Sequence, residues 1–270
     1  MPELYLITAP EQAVQAGRWG LPLAYLAYGM GTQTLELTVG VLSLTARGGW
    51  MVLTDRTLPP DGSAADFAAQ VRQECRRRRY RAVLADFERP PDGRSLEILS
   101  ALAAAGQPLI VPAAYGGALP GAAVLVDSAI SGGQLEDYLQ EEMDRWGGRV
   151  CLALHRLRMR FPLPCPTGEG TPIDDAALQA ALARRQSYFS PELGCRYCTC
   201  QEGGQFSFLL YDDAASLRHK LRIAETLGIP FAAGLYPELE DALPLLAVQS
   251  TDMVNLHDGF RDSFGAGRAN

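Results

Sequence analysis

The sequence predicts a (β/α)8 barrel, a TIM barrel, with a small hairpin-containing insertion between its seventh and eighth strands. Two observations carry that expectation. Eight short apolar runs alternate with segments that are mostly of helical period along 270 residues, the count and spacing of a barrel. Several of these runs are continuously apolar rather than alternating, as strands buried on both faces read. A doubly wound open sheet shares this pattern, but no GxGxxG or GxxxxGK[ST] phosphate loop follows any run.

The elements follow in order. Strands are expected at 4–8 and 23–28, and a β-rich stretch at 34–45 then interrupts the alternation. The third strand is expected at 50–54. A helix at 63–79 opens at the N-cap candidate Ser63 and sets Phe67, Val71 and Cys75 on one stripe. Its end carries the one basic run, Arg76-Arg77-Arg78-Arg79 with Arg81, expected as a solvated helix terminus whose cations complement the helix dipole. Strands four, five and six fall at 82–88, 108–113 and 123–127. A helix at 132–146 repeats the apolar stripe with Leu135, Tyr138 or Leu139, and Met143, and strand seven follows at 150–154.

The long segment beyond has a Pro-rich passage at 161–166, a short helix near 174–185, and a hairpin of 196–199 with 206–211 turned at Gly203-Gly204. It reads as an insertion at about 156–212 within a single barrel domain spanning 1–270. The last helix, 214–227, places Leu217, Leu221 and Ala224 on one face and ends at Gly228, a good left-handed C′ residue. Strand eight is expected at 230–236.

Composition narrows the function. With 24 Lys+Arg against 31 Asp+Glu the net charge is −7, which argues against nucleic acid or an anionic membrane held by bulk charge. Hydrophobic residues at 47% and charged residues at 20% are those of a soluble globular protein, not a disordered or fibrous one. No apolar run approaches the ~18–20 residues that span a bilayer. Met1-Pro2-Glu3-Leu4 has no basic leader region, so the expectation is no signal peptide and a cytoplasmic location. Six cysteines give no disulfide framework. Cys195, Cys198 and Cys200 cluster without the second ligand pair that zinc requires. They are expected as thiols on a hairpin edge, with no metal and no cofactor.

In a barrel the chemistry sits where the strands end. Strand four runs Ala82-Val83-Leu84-Ala85-Asp86-Phe87-Glu88, so Asp86 and Glu88 share one face at its top. Two carboxylates this close raise one of their pKa values, the arrangement for general acid catalysis. The bland alternative is that Glu88 caps the next helix or pairs with Arg89. Tyr28, Tyr115 and Tyr236 at three strand ends are candidates for a sugar-stacking floor, though each alone is more often a half-buried packing residue. Asp55, Asp127, His155 and Glu238 are further strand-end candidates. For Asp127 helix capping is the plainer role, and for His155 a satisfied neutral ring. No GxSxG elbow or cysteine motif supports a nucleophile triad.

These residues resemble the glycoside hydrolase family 18 barrel, in particular its spore-germination and cortex-lytic chitinase-like branch. The resemblance rests on Val83-Leu84-Ala85-Asp86-Phe87-Glu88, on the insertion between strands seven and eight, and on Phe208 to Leu217 with Lys220. It implies an enzyme that cleaves N-acetylglucosamine-containing glycans, chitin oligomers or peptidoglycan. Glu88 would be the general acid, and Asp86 would orient the substrate's own 2-acetamido group as nucleophile, an exception to the two-carboxylate scheme. Tyr28, Tyr115, Asp127, Tyr236 and Glu238 would contact the oligosaccharide or polysaccharide. A spore association also follows from the resemblance. The chain departs from the family pattern at Arg81, Ala82 and Leu84, where Asp, Gly and Asp stand. Val126-Asp127 lacks the usual tyrosine, and Tyr236 stands for the usual tryptophan. Those departures keep two other readings open: a catalytically inactive barrel that binds glycan or a protein partner, and an unrelated barrel enzyme using Asp55, Asp127 or Glu238.

Overall fold

The computed structural model describes residues 1–41 and 46–247. Eight parallel strands form the barrel: Glu3–Thr8, Leu23–Met30, Trp50–Thr54, Ala82–Asp86, Leu109–Pro112, Ala123–Asp127, Val150–Ala153 and Phe231–Leu235. Each bonds to the next in chain order, and the eighth pairs with the first, which closes the ring. Every expected strand is present, its ends moved by no more than two residues. Leu37–Val39 pairs antiparallel with the second strand. The rest of that β-rich stretch, 42–45, lies outside the described residues.

Helices Ala64–Arg78, Gly93–Ala104, Leu135–Arg145 and Ala214–Thr226 are the longest of the outer layer. Ser63 accepts the Asp66 amide at 3.1 Å, as an N-cap should. The helix at Gly93–Ala104 was not anticipated, although its signals are plain. Asp92 caps it through the Ser95 amide at 2.7 Å, and Ile98, Leu99 and Leu102 form its buried stripe.

The basic run is not wholly solvated. Arg78 falls on the inward stripe of its helix, 7% exposed, and donates to Glu74 Oε1 and the Ala46 carbonyl at 3.2 Å each. The i to i+4 spacing from Glu74 turns this one arginine inward. Arg79 closes the helix at φ 60°, and Arg81 reaches the Glu3 carboxylate and Tyr5 hydroxyl.

Strand parity sorts the core. Trp50 and Val52, Ala82 and Leu84, Ala123 and Cys151, and Phe231 and Ala233 point into the barrel. Val83, Ala85 and Phe87, or Val124 and Val126, point out to the helices. At the N-terminal ends of the strands the interior is plugged by aromatic rings. Tyr5 stacks on Trp50 with centroids 3.6 Å apart, and Phe231 meets Trp50 edge-on at 6.0 Å.

Between strands seven and eight the chain builds a second, antiparallel sheet. Its spatial order is Thr171–Pro172, Arg158–Leu163, Gln205–Tyr211, Cys195–Glu202, Tyr188–Ser190. Gly203 and Gly204, at φ 57° and 82°, make its hairpin turn, as a two-residue loop of this kind requires. Cys195–Glu202 is an inner strand rather than an edge. Cys198 and Cys200 are buried with Leu209 and Ala181, and burial pushes the Cys198 thiol up to about 11. Burial likewise lifts Cys195 to about 12. Protonated thiols of this kind are packing residues rather than nucleophiles.

Both ends of the insertion meet at one buried carboxylate. Asp212 accepts from the Leu157 amide at 2.8 Å, from Lys220 Nζ at 2.6 Å and from Ser216 Oγ at 2.7 Å. The Asp212 amide in turn donates to the Leu157 carbonyl at 2.8 Å. Lys220 and Asp212 are both fully enclosed.

Candidate active site

The inward parity of each strand continues to its C-terminal end. Residues 50, 52 and 54, 82, 84 and 86, 123, 125 and 127, and 151, 153 and 155 alternate inward. Thr54, Asp86 and Asp127 are therefore the last inward positions of their strands and His155 the next one beyond strand seven, all at the mouth of the barrel. Above Asp86 the same parity carries Glu88, while Phe87 turns outward, 5% exposed, against the Tyr115 ring at 5.8 Å.

Glu88 lies in the turn that leaves strand four, and the end of strand three fixes that turn. Asp55, buried and of outward parity, accepts the Glu88 amide at 3.0 Å and the Arg89 amide at 3.1 Å. From the other side Tyr115 donates its hydroxyl to the Arg89 carbonyl at 3.1 Å. Backbone bonds on both flanks thus hold the turn, and the Glu88 side chain stays open. Among the described residues no hydrogen bond or ion pair engages the Asp86 or Glu88 carboxylate. The next helix is capped by Asp92, and Arg89 donates to the Arg56 carbonyl at 3.2 Å. The insertion arginine Arg158 pairs with Asp175 at 2.7 Å. Desolvation, and then the charge of Glu88, push the Asp86 carboxyl above the ordinary range, against the opposing charges of Arg56 and His155.

On the opposite wall Asp127 does not cap a helix. Its Oδ1 accepts the Ala129 amide at 2.8 Å in a tight local turn, and its Oδ2 accepts from His155 Nδ1 at 2.9 Å. Both side chains stay about half exposed. The His155 bond and charge outweigh desolvation and lower the Asp127 carboxyl. The same bond raises the imidazole above its ordinary value.

The three tyrosines do not meet in the mouth. Tyr28 follows a register shift between Leu26 and Tyr28 that turns its side chain outward. Its hydroxyl donates to Glu74 at 3.1 Å and lies 2.9 Å from that of Tyr80, behind the barrel wall. Tyr115 is fully buried beneath the Glu88 turn. Tyr236, one residue past the inward Leu235, points outward and donates to Glu240 at 2.7 Å. No stacking floor is built from these rings. Glu238 sits on the rim, where Arg156 donates to its backbone carbonyl at 3.0 Å.

A cavity of about 540 Å³ opens between that rim and the insertion, lined by Arg156, Arg158, Met159, Phe161, Glu169 and Glu238 among others. A smaller one, about 250 Å³, lies on the far side by Thr38, Thr54, Arg56 and Thr57. Neither is lined by Asp86 or Glu88. Among the described residues no group of histidine, cysteine and acidic side chains is arranged to hold a metal ion. No helix among them is long and apolar enough to cross a membrane.

No protein-family model and no curated protein sequence matches the chain. Solved structures do match. The spore cortex-lytic enzyme SleL of Bacillus cereus superimposes with a TM-score of 0.62 at 16% identity, over 91% of this chain and 73% of its own. A chitinase from Chromobacterium violaceum gives 0.60 at 15% identity, over 90% of this chain and 99% of its own. A glycoside hydrolase family 18 N-acetylglucosaminidase from Paenibacillus barengoltzii gives 0.61 at 13% identity, over 92% and 99%. The fold of this chain is that of the glycoside hydrolase family 18-like, chitinase-like TIM barrels.

Proposed function

We propose that the chain is a glycoside hydrolase acting on N-acetylglucosamine-containing glycans, chitin oligomers or peptidoglycan. The observation that carries this reading is the Glu88 carboxylate. It is unpaired among the described residues, its backbone is fixed by Asp55, and it stands two residues beyond Asp86 at the strand-four mouth. A general acid needs those properties: a defined position and no competing cation.

In the proposed reaction Glu88 protonates the glycosidic oxygen as the bond to the anomeric carbon breaks. The carbonyl oxygen of the substrate's 2-acetamido group forms the new bond to that carbon. Asp86 holds the acetamido N–H and balances the positive charge that develops on the ring so formed. Glu88, now ionised, takes a proton from the water that opens the ring. The raised Asp86 carboxyl is consistent with a group that gains stabilisation when this cation appears beside it.

The test is turnover of fluorogenic N-acetylglucosamine oligomers and of purified peptidoglycan. Glu88→Gln is expected to lower kcat by about 10²–10⁴-fold with an unchanged unfolding midpoint. Equal activity in the variant overturns the assignment. A second reading, a barrel that binds glycan without turnover, draws on the absence of the three tyrosines from the mouth. It predicts saturable oligosaccharide binding with no product from either protein.

A further inference from the structure

The geometry points to His155 as a working member of the mouth rather than a packing residue. We propose that Asp127 fixes His155 so that the ring turns its Nε2–H into the barrel mouth, where its positive charge adds to the field at Asp86 and the Nε2–H is offered to an acceptor oxygen of the bound sugar. The proposal rests on the hydrolase reading only for the identity of the sugar. The arrangement of His155, Asp127 and Asp86 stands apart from it.

Three observations lead there. First, the two side chains are neighbours by register: Asp127 pairs with Ala153, and His155 is the next inward position on that strand. Both open into the same barrel mouth as Asp86, where the charge of His155 reaches the Asp86 carboxyl. Second, the bond from Nδ1 to Asp127 Oδ2, 2.9 Å long, commits that nitrogen as the donor. The other nitrogen, Nε2, is then free to act. Among the described residues none bonds to it, and the side chain is 50% exposed. Third, in the described set Thr54, Asp86, Asp127 and His155 no other side chain is a free neutral or cationic donor. Thr54 donates to the Tyr28 carbonyl at 3.4 Å.

The charges around the ring favour its protonated form. Asp127 faces it from strand six, Asp86 from strand four and Glu238 from the segment after strand eight; Lys220 of the last helix opposes them. Around Asp86 itself stand Glu88, Asp55 and Arg56. The hydrogen bond with Asp127 is the largest influence on His155. The sign follows. A histidine whose folded pKa is raised stabilises the fold fully below its unfolded value of ~6.5, and loses that contribution as pH rises through the folded value. Above that point Asp86 also loses the charge of His155 and keeps only that of Arg56.

The chain has three histidines, so the ring nitrogens can be followed individually by ¹⁵N NMR. In the native chain the His155 midpoint is expected above that of a free histidine, with Nδ1 retaining its proton as the ring becomes neutral. Asp127→Asn is expected to lower the midpoint the most, and Asp86→Asn to lower it by a smaller step. A His155 midpoint at or below that of a free histidine, or one indifferent to Asp86→Asn, overturns the coupling. Circular dichroism on each variant separates this from unfolding.

Next, N-acetylglucosamine tetramer is added to the Glu88→Gln protein, with binding followed by calorimetry. A shift of the His155 Nε2 signal on binding supports the donor role, and binding that leaves Nε2 unmoved removes it. If the tetramer does not bind at all, the glycan reading fails, and with it the donor role towards a sugar. The pH titration still decides whether His155 and Asp86 act as one unit.

Discussion

The Asp55 carboxylate accepts two backbone amides from the turn that carries Glu88, so a buried residue of outward parity sets where the acid stands. Asp55→Ala would leave both buried donors unmatched. A cost of about 2–4 kcal/mol is expected in urea denaturation, with turnover lost in parallel. Asp55→Asn, which keeps one acceptor, should cost less. If Asp55→Ala unfolds at the native midpoint, the amides have found other partners. At this scale the sequence was legible in part. Asp86 and Glu88 follow from strand parity alone. Tyr28 shares that inward parity on paper, yet a one-residue register shift reverses it, and no local residue pattern announces such a shift. Tyr236 was misread for another reason. The run Phe231-Ala232-Ala233-Gly234-Leu235-Tyr236 is apolar on both faces, which conceals which face is which. Asp127 and His155 could have been paired by counting inward positions on adjacent strands, but only once the register between those strands was known.

The helices and the second sheet are tied together by one enclosed ion pair. Lys220 on the helix Ala214–Thr226 and Asp212 just before it are both 0% exposed, and Asp212 also accepts from Leu157 and Ser216. Removing one charge strands the other, so Lys220→Met is expected to destabilise by about 3–5 kcal/mol. Lys220→Met with Asp212→Asn should recover part of that loss, a coupling that a double-mutant cycle would measure. Additive losses would show that the pair is not the source. Helices with apolar stripes and caps were readable, as Ser63 and the Phe67-Val71-Cys75 stripe demonstrate. Arg78 was not, because a basic run says nothing about which of its members a turn of helix points inward. The Cys198 and Cys200 strand was readable as a hairpin arm. Its inner position depended on Tyr188–Ser190, just upstream of it, turning back to pair along its outer side.

For the molecule as a whole the barrel divides into a dry, aromatic base and a charged mouth. Trp50, fully buried against Tyr5 and Phe231, fills the base far from Glu88. Trp50→Ala is expected to cost about 3–5 kcal/mol through the cavity it leaves. Among the described residues the Trp50 Nε1 has no acceptor, so Trp50→Phe should cost clearly less. Equal losses in the two variants would mean that ring volume is not what matters there. The closed parallel topology was legible because its strands are apolar on both faces and its connections helical. The mouth was legible only as a list of strand ends, since which ends converge depends on closure of the ring.

The junction at Asp212 has a bearing on how such a protein can diversify. The segment that leaves at Leu157 and returns at Asp212 begins and ends at two reciprocal hydrogen bonds, the Leu157 amide to the Asp212 carboxylate and the Asp212 amide to the Leu157 carbonyl, so its two ends are spatial neighbours. A loop anchored in this way can lengthen, shorten or be exchanged without asking either flanking strand to move. The second sheet is in that sense a replaceable cassette beside the mouth, through which a lineage could alter what lies beside the carboxylates while leaving their geometry intact.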